Sequence, residues 1–169
     1  MLVFAAMVMK LLALPLLVRI AWGDFTTQRI ANSNVLLLLC LGAASLLLAA
    51  LAENSWWNLT LSAVAGAVLF LLLFPFWLLR RVGAGDVKLM AVAPLVAGGN
   101  DLLVFALALL VFALLTAAVV KNPMLLPSPA FRAYVEHLDR QRVVPFGVPI
   151  AAALFLTIVL QVAAKLASF

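Results

Sequence analysis

Groups that can do chemistry are scarce in this chain. Six acidic residues, one histidine and one cysteine occur among 169 residues. Two of the acids stand apart. Asp24 closes an apolar run in the string Gly23-Asp24-Phe25-Thr26-Thr27-Gln28-Arg29-Ile30-Ala31-Asn32, and Asp86 opens another in Gly83-Ala84-Gly85-Asp86-Val87-Lys88. A carboxylate at such a boundary, flanked by glycine, marks either a turn or a place where something fits closely; Gly83 and Gly85 allow both. Two carboxylates at one depth suggest an aspartyl dyad. Like charges about 3 Å apart cannot both ionise, so the pair shares one proton. The ionised member takes a proton from a water that attacks a carbonyl, and the protonated member donates to the carbonyl oxygen and then helps protonate the leaving amine. The residues alone fit a second reading, loop carboxylates paired with Arg29 and Lys88.

The remaining polar residues have narrower roles. Lys88 either holds Asp86 in place or is an interface lysine, and Arg29 with Asn32 either orders the first loop or is solvated. Lys10 falls within the first apolar run, where a lone charge is costly unless it snorkels to the outer end. His137, between Glu136 and Asp139, reads as a solvated histidine rather than a metal ligand. Cys40 reads as a small buried apolar side chain. With one cysteine there is neither an intrachain disulfide nor a thiolate metal pair.

The elements that must position the two carboxylates follow from composition. Apolar residues make up 68% of the chain and charged ones 10%, with a mean hydropathy of +1.27. Soluble domains run at about 45–50% and about 25%, so an ordinary soluble fold is excluded, as are disordered and collagen-like chains. Six apolar segments are predicted as helices: Leu2–Trp22, Val35–Ala52, Leu59–Leu79, Val87–Ala97, Leu102–Val120 and Phe146–Ala164. Five can cross a hydrocarbon core of about 30 Å; the fourth crosses only with help from Asp86 and residues 98–100 or from a locally thin bilayer. The first run lacks a basic region ahead of it and a small-residue cleavage site behind it, so it reads as a retained helix.

Charge gives the orientation. If the first helix runs from outside to inside, the inner loops hold Arg29, Arg80, Arg81, Lys88, Lys121, Arg132, Arg140 and Arg142, and the outer loops hold Glu53 and Asp101. Loops rich in Lys and Arg stay cytoplasmic, and only Lys10 and Lys165 run against the bias. The expectation is one domain over residues 1–169, an all-α membrane protein with six transmembrane helices and both termini outside. Trp56 and Trp57 mark an outer interface, Trp22 and Trp77 an inner one. Pro15, Pro75 and Pro94 are predicted to kink their helices. In the longest loop, Phe131, Tyr134, Val135 and Leu138 at helical spacing predict a short amphipathic surface helix. The formal net charge of +5 is explained by sidedness, and no nucleic-acid partner is implied.

The motifs resemble those of one family. The string Asp24…Arg29-Ile30-x-Asn32 looks like the first aspartate motif of the type IV prepilin peptidases, and Gly83-Ala84-Gly85-Asp86-Val87-Lys88-Leu89 is similar to their second, G-x-G-D-x-K-L. Val144-Pro145-Phe146-Gly147-x-Pro149 resembles the Pro-Phe-Gly stretch that opens a late helix there. The family often has proline between the Ile and Asn of the first motif, where this chain has Ala31. The resemblance implies a GxGD-type intramembrane aspartic protease of the bacterial inner membrane. It would cut basic leaders from prepilins or pseudopilins at the cytoplasmic face, just before the pilin's apolar helix. Asp24 and Asp86 match the catalytic aspartates; Gly83, Gly85, Lys88, Arg29, Asn32, Pro145, Phe146 and Gly147 match supporting positions. Larger members add paired cysteines and methylate the new amino terminus, so the likeness is to the short peptidase-only branch that includes Flp or tight-adherence pilus enzymes. No metal or organic cofactor is implied.

Two expectations remain to be tested against structure. Asp24 lies at the carboxyl end of its helix and Asp86 at the amino end of its own, so the helix dipoles assign the charge to Asp86 and the proton to Asp24. The rival function is a non-enzymatic carrier or pilus assembly subunit, with boundary carboxylates handling ions or protons. It requires polar groups through the bilayer.

Overall fold

The computed structural model describes residues 1–122, 124, 132 and 145–167, and the described residues contain no strand. Six helices form: α1 Leu2–Thr27, α2 Asn32–Glu53, α3 Trp57–Leu78, α4 Ala84–Ala97, α5 Leu102–Lys121 and α6 Gly147–Ala167, with a 3-10 turn at Gly99–Asp101 leading into α5. Five of these, all but α4, are long and apolar enough to cross a membrane. A helix is the natural outcome here, because hydrocarbon offers no partner to an unpaired backbone group. The helices end by ordinary chemistry. Gln28 and Asn54 take left-handed φ values of 52° and 49° after α1 and α2 and return their N–H groups to Asp24 O and Ala50 O. Helix α1 therefore runs past Trp22 to Thr27 and includes Asp24 in its last turns. Pro15, Pro75 and Pro94 all lie inside helices.

The shortest helix, α4, sits at the centre. It packs against α2, α3 and α6, while α1 pairs with α2 and α6, and α5 with α6. At 14 residues it rises about 21 Å, and glycines on both flanking helices let their backbones close on it. A Cβ at Gly66 of α3 would lie 2.5 Å from Ala91 O, and one at Gly42 of α2 would lie 2.9 Å from Leu95 O. Between α4 and its neighbours Leu17, Ile20, Leu38, Leu89, Val96, Leu154 and Ile158 form a core with almost no exposure.

Among the described residues, charged side chains gather mainly towards the two ends of the bundle. One end gathers Asp24, Ile30, Asn32, Asp86, Lys88 and Gly147. At the other, Gln161 of α6 accepts from Lys10 Nζ and donates to Ala97 O and, at 2.7 Å, to Asp101 Oδ2. Asn58 Oδ1 accepts the Asn100 N–H at 3.1 Å, and Lys165 lies 3.7 Å from Glu53. Lys10 reaches the polar end that holds Asp101, where it is engaged by Gln161 with the Asp101 charge acting on it. Cys40 is exposed on the helix surface, not buried as expected, since an apolar helix in lipid offers no polar face by which to tell inside from outside. The predicted amphipathic helix around 131–138 and His137 fall outside the described residues, Arg132 excepted.

Ala31 precedes α2 with φ −66° and ψ 133°, the conformation that proline fixes. Ala31→Pro should raise stability by about 0.4–1 kcal/mol by restricting the unfolded chain. Thermal unfolding in detergent checks this: the melting temperature should rise by about 1–4 °C.

Candidate active site

Asp24 and Asp86 are 62 positions apart in the chain and meet at one end of the bundle, near enough for the Asp24 charge to act on Asp86. Each is seated on a helix amino terminus. Gly83 is the N-cap of α4 and Asp86 its third residue. The Gly83 N–H donates to the Asp86 carboxylate, the backward half of a capping box. Gly83 itself has an extended backbone, φ −67° and ψ 142°, so the glycine is not needed for a tight turn. It is needed for room, since a Cβ there would lie 3.0 Å from Asp86 Oδ2. Gly85 leaves room in the same way for Ile30, whose Cβ would be 3.0 Å from an added methyl.

Asp24 is held by a helix other than its own. The N–H groups of Gly147 and Val148, the first residues of α6, donate to its carboxylate. The Gly147 N–H is a donor that a helix start leaves without an intrahelical partner, and the Val148 N–H is shared with Pro145 O. The approach is close: a Cβ at Gly147 would lie 2.8 Å from Asp24 Cγ and 2.8 Å from Ile30 Cδ1. Asp24 is 5% exposed, and its Oδ2 is buried with no hydrogen-bond partner among the described residues. Ile30 thus wedges between the starts of α4 and α6 and covers the carboxylate from the loop side. Pro145 and Phe146 supply the carbonyls that begin α6, accepting from the N–H groups of Val148 and Ile150 at 3.3 Å each; Phe146 is half exposed.

Two matched positions do other work. Lys88 Nζ donates to Asn32 Oδ1 at 3.0 Å, so Lys88 ties α4 to the start of α2 on the far side from Asp86. Asn32 is thereby engaged with Lys88 rather than Arg29. The trans cap from Gly147 and Val148 is the feature that sequence reasoning missed. Its signal was the Pro-Phe-Gly string, where glycine at a helix start announces a close approach.

The cap also bears on where the charge sits. Judged by their own helices, Asp86 holds it; the amino end of α6 adds a positive pole and donors at Asp24 that its own helix does not supply. Asp86 lies ahead of the apolar Val87–Ala97 run, with the Asp24 charge acting on it and the Gly83 N–H beside it.

The described residues hold no cluster of three His, Cys, Asp or Glu with metal-site geometry. Comparison with protein-family models matches residues 11–120 to the type IV leader peptidase family. The chain belongs to that family, which implies a membrane-embedded peptidase acting on prepilin leaders. The match includes both aspartates and stops before Gly147. Neither the curated proteins nor the solved structures compared gave a match.

One test follows. Gly147→Ala should displace the Asp24 carboxylate and cut leader cleavage by about a hundredfold, measured against protein confirmed as membrane-inserted.

Proposed function

We propose that this protein is an aspartic endopeptidase that removes the leader of type IV or Flp-type prepilins at the cytoplasmic face of the inner membrane. The observation that carries the reading is the convergence of Asp24 and Asp86 at one end of the bundle, each on a helix amino terminus. Asp24, ionised, takes a proton from water; the resulting hydroxide attacks the scissile carbonyl. Asp86 donates its proton to the carbonyl oxygen. As the tetrahedral intermediate collapses, the C–N bond breaks, a proton passes to the amine, and the dyad returns to one proton shared between two carboxyls. Because Asp24 is covered in the free protein, substrate must shift Ile30 or the start of α6 for the carboxylate to meet water.

The sidedness belongs to the same proposal. The site end carries Arg29, Arg80, Arg81, Lys88 and Lys121, as expected of a cytoplasmic face. At the opposite end Lys10 and Lys165 face Asp101 and Glu53. Helix α4 with its 3-10 turn connects the two ends; on this reading it is a short sixth crossing and both ends of the chain lie outside. The carrier reading lacks support for a physical reason. Between the two polar ends the described core is mostly apolar, and its buried hydroxyls are spent on backbone carbonyls: Ser45 on Ala6 O at 3.0 Å, Ser62 on Asn58 O at 2.7 Å and Thr157 on Ala153 O at 2.8 Å.

The test is co-expression with a prepilin, following the leader by gel shift. The wild type should cleave, and Asp24→Asn and Asp86→Asn should each lose about 10²–10⁴-fold. Cleavage surviving either substitution in folded, inserted protein overturns the aspartyl mechanism.

A further inference from the structure

Among the described residues three apolar grooves run along the outside of the bundle, and they differ in where they lead. One lies between α2 and α3 over α4, bordered by Leu36, Phe70 and Lys88. Its floor is the face of α4 that carries Lys88, about 200° around the helix from Asp86 at 3.6 residues per turn. A second lies between α3 and α5, from Met90 to Leu102 and Leu110, and so extends away from the site towards the Asp101 end. The third lies between α1 and α5 with α6 as its floor. It encloses about 440 Å³, and every side chain lining it is apolar, among them Val18, Ala21, Phe112, Val148, Ala152 and Leu156.

Of these three grooves, the third reaches a residue that acts on Asp24. Val148, whose N–H donates to the Asp24 carboxylate, lines its head. Ala21 lies one helical turn before Asp24 and, with Leu17, shares its stripe on α1. From Val148 to Val159 the floor extends about 17 Å down α6. The floor and near wall include Ala21, Ala151 and Ala152, small residues that let another helix approach closely where lipid provides no hydrophobic drive for association.

Resting on the peptidase reading, we infer that this groove is the dock for the apolar helix of the prepilin substrate. The helix lies parallel to α6, with its amino end at Val148. A cleavage site just ahead of an apolar helix is then delivered beside Asp24 by the packing of that helix. The basic leader, which the positive cytoplasmic end would repel, need not be attracted at all. Groove shape, rather than charge, selects the substrate.

The experiment uses the full chain in membranes with a prepilin. A photo-reactive benzophenone side chain is placed at position 18 or 156 in the groove, and at position 36 or 110 in the other two. Adducts with prepilin are expected from 18 and 156 and not from 36 and 110. Ala152→Phe should fill the floor and raise KM for full-length prepilin roughly tenfold. It should raise KM much less for a soluble peptide that spans the cleavage site but lacks the apolar helix. Adducts from 36 or 110 instead, adducts with lipid only, or an equal rise in KM for both substrates overturn the dock while leaving the peptidase standing. A wild type that cuts neither substrate removes the peptidase reading, and the dock with it.

Discussion

A carboxylate shut inside a membrane-embedded bundle needs donors, and nearly every backbone N–H there is already committed to its own helix. The exception is a helix start, whose first N–H groups have no internal partner. Seating Asp24 on the start of α6 answers both needs at once. The rest of the site follows from it. Helix α6 must begin at the depth where α1 ends, its first residue must lack a side chain, and a small apolar wedge, Ile30, must close what remains. Asp86 solves the same problem with its own helix, through the Gly83 N–H. Two carboxyls thus meet on two positive helix ends, so that one of them can stay charged without a cation in the site.

The opposite end of the bundle fixes the depth at which the helices stand. Gln161 binds α1 through Lys10, α4 through Ala97 and the start of α5 through Asp101. A slip of any of these helices along its axis would break a polar contact in an environment that offers no replacement. The apolar middle cannot supply such register by itself, because side chains of similar size and polarity can slide past one another. Gly66 and Gly42 add lateral control, locking α4 between α3 and α2 at backbone distance. The carboxylates are therefore placed by contacts at both ends and at the waist of α4.

How much of this was legible in the sequence varied with the physics of each part. The six apolar segments were, because spanning length and boundary charges leave a strong mark. The two aspartates were too, since charged groups are rare here and both sit at boundaries. Burial was not. In a soluble helix the polar face marks the outside, whereas here Cys40 and Leu38, two positions apart, have the same apolar surroundings in sequence and opposite exposures in space. Glycine identity was legible, but its purpose was not: Gly83 and Gly85 serve by leaving space, with no unusual backbone angle at Gly83. Lys88 and Asn32 pair across 56 positions, and Gly147 reaches Asp24 across more than a hundred. Single-chain spacing carries no trace of such pairings.

That last separation has a consequence for biosynthesis. A chain that enters the membrane from its amino end inserts α1 early, with Asp24 aboard, and must synthesise more than a hundred further residues before Gly147 arrives. Until then the carboxylate has no cap and the groove beside it has no floor. The nascent protein therefore carries both aspartates through the synthesis of everything from α4 to the start of α6 without the means to use them. Competence comes in one step, when α6 docks, and the membrane is never exposed to a half-built protease.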